Sequence, residues 1–127
     1  MEKLLGLYQL GLRPVRLYVD AESGNGSVEI IPTDKGPTKV IVGLDHHSFS
    51  RAVSVLLHES YEIMLIDQGT RYEPHPAASY EASNFIFVAT HNQLDEAHSR
   101  VSQFLVAVYT DFKRAYDKSV QQKAGKK

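Results

Sequence analysis

The segment that most constrains the fold is the C-terminal third, where apolar residues recur at intervals of three and four. Such spacing places one continuous apolar stripe along an α-helix. Thr90 and Gln93 stand before the stripe with the spacing of a capping box, in which each side chain bonds an end amide of the other. We therefore predict a helix of about seven turns. Its stripe consists of Leu94, Ala97, Val101, Phe104, Val108, Phe112 and Ala115.

The first third of the chain alternates apolar and polar residues, which is typical of strands with one buried face. Residues 13–20 and 38–44 show this pattern, and a shorter run at 28–31 lies between two turn segments. Successive turns of this kind predict an antiparallel meander. Residues 1–12 fit either a short helix or an additional strand, and residues 84–88 form a further short apolar strand.

The middle of the chain predicts a second helix, over residues 49–68. Asp45 or Ser48 can cap its first turn, and Gly69 can end it in the left-handed conformation. Projection at about 100° per residue puts one broad apolar face toward the sheet. That face consists of Phe49, Val53, Leu56, Leu57, Ile63 and Met64.

These elements predict an α+β fold, in which a small antiparallel sheet of three or four strands is packed by the central helix and the long C-terminal helix. The 127 residues, 43% hydrophobic and 23% charged, suffice for one globular core. We assign residues 1–117 to a single domain. Residues 118–127 carry almost nothing apolar, so we expect a flexible polar and basic tail.

Composition excludes several functional classes. Lys and Arg number 14 against 15 Asp and Glu, for a net charge of −1, so no overall positive charge supports nucleic-acid binding. The sequence has no Cys, which excludes disulfides, thiolate zinc fingers and cysteine nucleophiles. No apolar run approaches the roughly 20 residues of a membrane span, and the opening apolar run is too short for a signal peptide. We therefore expect a cytoplasmic protein.

One chemical motif lies on the central helix, where residues 58–62 read HESYE. It resembles the zincin metallopeptidase motif, His-Glu-x-x-His on a helix, with Glu62 in place of the second His. Residues four apart share a helix face, so His58 and Glu62 can point at one zinc ion. The resemblance implies that Glu59 is the general base that takes a proton from the attacking water.

The missing imidazole means that a third zinc ligand must come from downstream, and the candidates are His91, His98 and Glu96. The two histidines lie roughly 10 Å apart along a helix, so at most one of them joins the site. Aliphatic residues flank the motif on the outer helix face: Val55, Leu65 and Ile66. We expect the C-terminal helix to cover that face, either around a metal ion or around a hydrogen-bonded His–Glu pair.

A second set of residues predicts a protein interface, since Tyr and Arg are favoured at such surfaces. The candidates are Arg71, Tyr72 and His75 before the last strand, with Tyr109 and Tyr116 on the C-terminal helix. The chain as a whole also looks like the small accessory proteins of bacteriophages and prophages. That resemblance implies a binder or inhibitor of a host protein. We predict a non-catalytic interaction protein without a cofactor, and because the C-terminal helix is longer than a small sheet can cover, part of its stripe is a candidate surface for a homodimer or a partner. The alternative function is a zinc-dependent hydrolase with an altered zincin site.

Overall fold

The computed structural model describes residues 1–31, 35–69, 71–74 and 85–125, and for residues 71–74 and 85–88 it describes the backbone alone. A four-stranded sheet, a two-stranded sheet and two helices confirm the α+β class. In chain order the elements are β1 (Glu2–Leu10), β2 (Arg13–Asp20), β3 (Gly26–Glu29), β4 (Thr38–Gly43), α1 (Phe49–Asp67), β5 (Arg71–Pro74), β6 (Phe85–Val88) and α2 (His91–Gly125).

The larger sheet has the strand order β1-β2-β4-β3 and is mixed. β1 and β2 form an antiparallel hairpin, β2 and β4 run parallel, and β3 is antiparallel to β4 at the edge. The predicted meander is therefore wrong in one respect, because β3 lies beyond β4 and not between β2 and β4. The two central strands bury their inward apolar residues almost completely: Val15, Leu17, Val19, Val40 and Val42 are each at most 5% exposed. β5 and β6 pair separately.

Residues 2–10 form a strand, which resolves the choice between helix and strand that the sequence left open. Its last residue, Leu10, is fully buried. Tyr8 points toward the helices, where its hydroxyl donates to Asp111 Oδ2 at 2.7 Å. Leu4 and Leu7 are exposed. Since each is paired with a residue of β2 that also faces away from the core, one face of the sheet remains open to solvent.

Both helices pack on the other face of this sheet, α1 against β3 and β4 and α2 against β1 and α1. The predicted stripe of α2 is buried from Ala97 to Phe112, and it continues into Tyr116 and Ser119. Together with the inward residues of β2 and β4 it forms one core. Its largest fully buried side chains include Phe104, Phe112, Leu10, Leu17, Leu44, Leu56 and Ile63.

Both predicted ends of α1 and the predicted start of α2 are confirmed. Ser48 Oγ accepts from the Arg51 amide at 3.3 Å, and Gly69 has a φ of 75°. At the start of α2 the Thr90 amide donates to Gln93 Oε1 at 2.8 Å, and the Gln93 amide donates to Thr90 Oγ1 at 3.2 Å. None of the described helices combines the length and the apolar character needed to cross a membrane.

Helix α2 continues through residues 118–125, where the composition predicts a flexible tail. Ser119 is buried in this segment, and its hydroxyl donates to the carbonyl oxygen of Tyr116 at 2.7 Å. A serine that bonds its own helix backbone can be buried without apolar character, which is why composition does not reveal it. Lys123 also donates to Asp45, at the entry to α1.

Candidate metal centre

Besides its buried face, helix α1 has two flanks and a ridge between them, and the candidate site residues lie on different ones of these surfaces. One flank lies against β3, the opposite flank lies against α2, and the ridge between them faces solvent. His58 stands on that ridge with its side chain 73% exposed. Glu59 is on the β3 flank, and Tyr61 is on the α2 flank. The expectation that α2 covers the face around His58 is therefore wrong.

Three potential metal ligands of α1 lie close together next to β3. One ligand atom from each of His58, Glu59 and Glu62 lies within 4.8 Å of the others. His58 Nε2 is 3.6 Å from Glu62 Oε2, across one helical turn. An imidazole nitrogen and two carboxylate oxygens are ligands that zinc accepts in proteins. These donors are close enough to hold one metal ion.

Glu59 is the buried member of the group, with 7% of its surface exposed. Burial raises the pKa of its carboxyl group, the negative charge of Glu62 raises it further, and His58 opposes both effects. Within the described part of the chain, no hydrogen-bond donor contacts this carboxylate. A buried carboxylate without a donor or a cation is costly.

The glycine at the start of β3 makes room for Glu59. A Cβ at Gly26 would lie 2.7 Å from Glu59 Oε1 and 2.8 Å from Val55 Cγ1. A cavity of about 300 Å³ opens at this point between β3 and α1, with Glu59 and Glu62 in its wall. Apolar residues complete the lining, among them Val28, Ile30, Ile63 and Ile66. The two carboxylates of the group therefore border a small cleft at the edge of the sheet.

The downstream histidines do not join this group among the residues that the structure describes. His91 pairs with Asp95 one turn along α2, with His91 Nε2 3.3 Å from Asp95 Oδ2. His98 Nδ1 is hydrogen-bonded to Tyr61 Oη, and the two rings meet edge to face at 5.2 Å. Because α2 packs on the opposite flank of α1 from β3, its side chains approach the helix on the wrong side.

The third donor is Glu59, to which the motif assigns the role of base. Adjacent residues of a helix diverge by about 100°, so their spacing gave no reason to expect His58 and Glu59 at one ion. The sequence feature connected with this position of Glu59 is Gly26 in the neighbouring strand. Its lack of a side chain leaves room for the Glu59 carboxylate. Glu96 is likewise absent from the group, within the described residues.

The predicted partner-binding residues separate into three cases. Tyr116 is only 7% exposed, and its hydroxyl donates to the carbonyl oxygen of His46 at 3.3 Å, so it belongs to the core and not to a contact surface. Tyr109 is exposed, with its ring against the edge of Phe49. The side chains of Arg71 and Tyr72, in β5, and the whole of His75 lie outside the described residues.

Comparisons of this chain with protein-family models, with curated proteins and with solved structures find no significant match. The function of the site must therefore be inferred from its own residues. The relevant facts are the donor types, their separation and the burial of one carboxylate.

Proposed function

We propose that the protein binds zinc through His58, Glu59 and Glu62. The donor set supports zinc because neutral imidazole together with carboxylate oxygens suits this ion better than it suits Mg²⁺ or Ca²⁺, which prefer oxygen ligands alone. The three side chains come from one rigid helix, so little conformational entropy opposes their use as ligands.

The observation that carries the proposal is the state of Glu59. The residue is largely buried with its carboxylate at the wall of the cleft, and this carboxylate receives no hydrogen bond from the described residues and stands beside a second carboxylate. A divalent cation would offset both the desolvation and the repulsion between the two negative charges. A surface His–Glu pair by itself would need no such third group.

A second His–carboxylate pair in the same chain serves as a comparison for the pair formed by His58 and Glu62. His91 and Asp95 form an exposed pair with the same four-residue spacing, and their 3.3 Å separation is similar to the 3.6 Å of His58 and Glu62. This second pair has no buried carboxylate beside it in the described structure. A difference in zinc affinity between the two pairs therefore measures what Glu59 contributes.

The test is isothermal titration of untagged protein with zinc, together with metal analysis after dialysis. We expect saturable binding that weakens at least tenfold in His58→Ala, because an imidazole ligand is lost. The matched control is His91→Ala, which should bind zinc as the wild type does. Absence of saturable binding, or equal losses in the two variants, would show that the proposal is wrong.

Hydrolysis is the catalytic form of the same proposal. Zinc, when bound, supplies Lewis-acid activation of water. His58 and Glu62 would then hold the ion, while Glu59 would accept the proton of the attacking water, a task for which a raised pKa suits a carboxylate at neutral pH. Glu59→Gln separates the two roles of this residue. Retained zinc affinity with loss of peptide hydrolysis makes Glu59 the base, and loss of zinc affinity makes it a ligand.

A second candidate function, non-catalytic protein binding, is favoured by the apolar residues that the fold leaves in solvent. Val106 on α2 is 79% exposed, and Leu4 and Leu7 lie on the open face of the sheet. Such residues are suited to contact with a partner or with a second copy through α2. The bacteriophage-type accessory or inhibitor role stays a prediction. Loss of a captured partner in Val106→Asp or Leu7→Asp, with unchanged zinc affinity, would favour this function.

A further inference from the structure

A second cavity lies at the C-terminal end of α1, on the flank of that helix that faces α2. Its walls are the turn between β1 and β2, the end of α1 and the early turns of α2. Its volume is about 290 Å³, just below the range of about 300–1,000 Å³ that holds drug-sized ligands. We call it the helix-end cavity and define it by six of its lining residues: Arg13, Met64, Asp67, Gln68, Glu96 and Arg100.

Four charged side chains line this cavity, and two of them already pair with each other. Arg13 contacts both carboxylate oxygens of Asp67, with Nη2 2.6 Å from Oδ1. Glu96 and Arg100 stand one turn apart on α2, yet neither has an ion pair or a hydrogen bond within the described residues. In this part of the structure the cavity therefore presents one cation and one anion without partners, and the four charges sum to zero.

Arg100 is the more informative of these two groups, because it is half-buried. Its Cδ lies 3.9 Å from the place where a Cβ would stand at Gly11, so its stem packs against the turn between β1 and β2. Lys113 and Asp117, with the same four-residue spacing on α2, pair at 2.7 Å. A guanidinium that is partly removed from water without an anion is costly, and a ligand carboxylate would offset that cost with two parallel hydrogen bonds.

The amide of Gln68 is a further polar group without a partner. Its side-chain atoms Oε1 and Nε2 are both buried and make no hydrogen bond within the described residues. The backbone is held in place there, because the carbonyl oxygen of Gln68 accepts from Gln93 Nε2 at 3.2 Å. An amide group offers both an acceptor and donors. Rotation of this side chain into the cavity would therefore let it bond a ligand that carries both kinds of group.

We propose that the helix-end cavity binds a free α-amino acid with an aliphatic side chain. Arg100 holds the carboxylate and Glu96 the ammonium group, so the bound zwitterion leaves the net charge of the cavity at zero. A simple anion is repelled by Glu96, and a simple cation is repelled by Arg100. Met64 in the wall and Leu12, which is 92% exposed at the rim, contact the aliphatic side chain. This inference does not depend on zinc binding.

The test is isothermal titration of the untagged protein with L-leucine, in a chelator so that zinc has no part in the result. Two derivatives are the controls, since N-acetyl-L-leucine lacks the ammonium group and L-leucinamide lacks the carboxylate. We expect saturable binding of L-leucine, at least tenfold tighter than that of either derivative. Arg100→Gln should weaken L-leucine binding at least tenfold and leave that of L-leucinamide unchanged. Glu96→Gln, at an exposed position, should weaken L-leucine binding and leave that of N-acetyl-L-leucine unchanged.

Arg114→Gln is the matched control for Arg100, because this arginine lies further along α2, outside the cavity, with its side chain 74% exposed. It should bind L-leucine as the wild type does, and so should His58→Ala, whose site is elsewhere on α1. Absence of saturable L-leucine binding overturns the proposal, as do equal losses in Arg100→Gln and Arg114→Gln. Binding of either derivative as tightly as L-leucine assigns the cavity to the end of a peptide chain and also overturns the proposal.

Discussion

Gly26 of β3 lies directly against the Glu59 carboxylate of α1, and a Cβ at residue 26 would come within 2.7 Å of Glu59 Oε1. Space is what requires glycine at this position, because the residue is not among those with a positive φ. We predict that Gly26→Ala lowers the free energy of unfolding by about 1–3 kcal/mol, the usual cost of overpacking. It should also weaken zinc binding, since Glu59 must move. Urea denaturation and zinc titration measure the two effects.

The matched control is Gly24→Ala, two residues earlier in the same connection. A Cβ there would lie 3.4 Å from the carbonyl oxygen of Asp45 and 3.6 Å from His46 Cε1, which are ordinary contacts. We expect little change in stability and none in zinc affinity. Equal effects of the two substitutions would contradict the role assigned to Gly26.

The free energy of unfolding should depend on pH through Glu59. Burial, and then the charge of Glu62, raise its pKa in the folded state, so between the unfolded and folded pKa values the native state binds more protons than the unfolded state. The contribution of this group is therefore fully present below the unfolded pKa and is lost as the pH rises through the folded one. We predict that Glu59→Gln removes this loss and stabilises the metal-free protein at pH 7 by roughly 1 kcal/mol.

Denaturation curves from pH 4 to pH 8, in a chelator, provide the measurement. Glu62→Gln is the informative second variant. It removes the negative charge beside Glu59 and should therefore raise the free energy of unfolding at pH 7 by part of the amount expected for Glu59→Gln. Zinc should reverse the ranking, with the wild type more stable than Glu59→Gln. A wild-type protein that gains stability over this pH range relative to Glu59→Gln would contradict the environment described for this carboxyl group.

Tyr8 should titrate far above an ordinary phenol. Its burial, followed by its hydrogen bond to Asp111, raises the pKa to about 12. The contribution of Tyr8 to the free energy of unfolding is fully present below the ordinary phenol pKa of 10.0 and is lost as the pH rises through about 12. We predict that Tyr8→Phe costs about 1 kcal/mol at neutral pH and removes a phenol that ionises near pH 12 from an ultraviolet titration. Tyr109→Phe, which alters an exposed ring, is the control for stability.

Residues 118–125 should contribute to stability, although their composition predicts a tail. Ser119 is buried and bonded to the helix backbone, so deletion of residues 118–127 should lower the free energy of unfolding by about 1–2 kcal/mol. Lys123→Ala removes only the exposed ion pair with Asp45 and should leave the free energy of unfolding nearly unchanged, because water screens such a pair. A truncated protein as stable as the full chain would show that this last part of α2 is dispensable.

Arg13 links the β1–β2 hairpin to the end of α1. Its guanidinium contacts both carboxylate oxygens of Asp67, with Nη2 2.6 Å from Oδ1, and also donates to Thr38 Oγ1 at 2.8 Å. We predict that Arg13→Lys lowers the free energy of unfolding by roughly 2 kcal/mol, because an ammonium group cannot make this forked set of bonds. Arg16→Lys, an exposed position on the same strand, should be neutral. Thermal unfolding distinguishes the two.

Local signals were sufficient to predict both helices, the two ends of α1 and the start of α2, but not the end of α2. The spacing of apolar residues located α2, and Thr90 and Gln93 make the reciprocal bonds that their spacing predicted. The pairing of strands was not accessible in the same way. The alternation in β2 and β4 shows that each has one buried face, but a strand's own residues do not say which strand lies beside it, so the parallel pair was missed.

The candidate site was likewise predicted in part from local spacing and missed in part. The four-residue spacing of His58 and Glu62 placed them together. The third residue of the group, Glu59, could not be predicted in this way. Its position depends on which element packs on each flank of α1, and the order of strands in the sheet decides that. Because β3 and α2 pack on opposite flanks of α1, Glu59 lies close to His58 and Glu62, while His98 contacts Tyr61 instead.

The helix that covers β1 comes late in the chain, after the strands of the larger sheet and after α1. Seven of the buried side chains belong to α2, and Tyr8 is joined to Asp111 across 103 positions of the chain. A nascent chain that has only reached β6 therefore exposes the inner face of β1 and β2 at the ribosome. The core is therefore complete only when α2 has left the ribosome, and until then these apolar strands are open to the associations that exposed sheet edges permit.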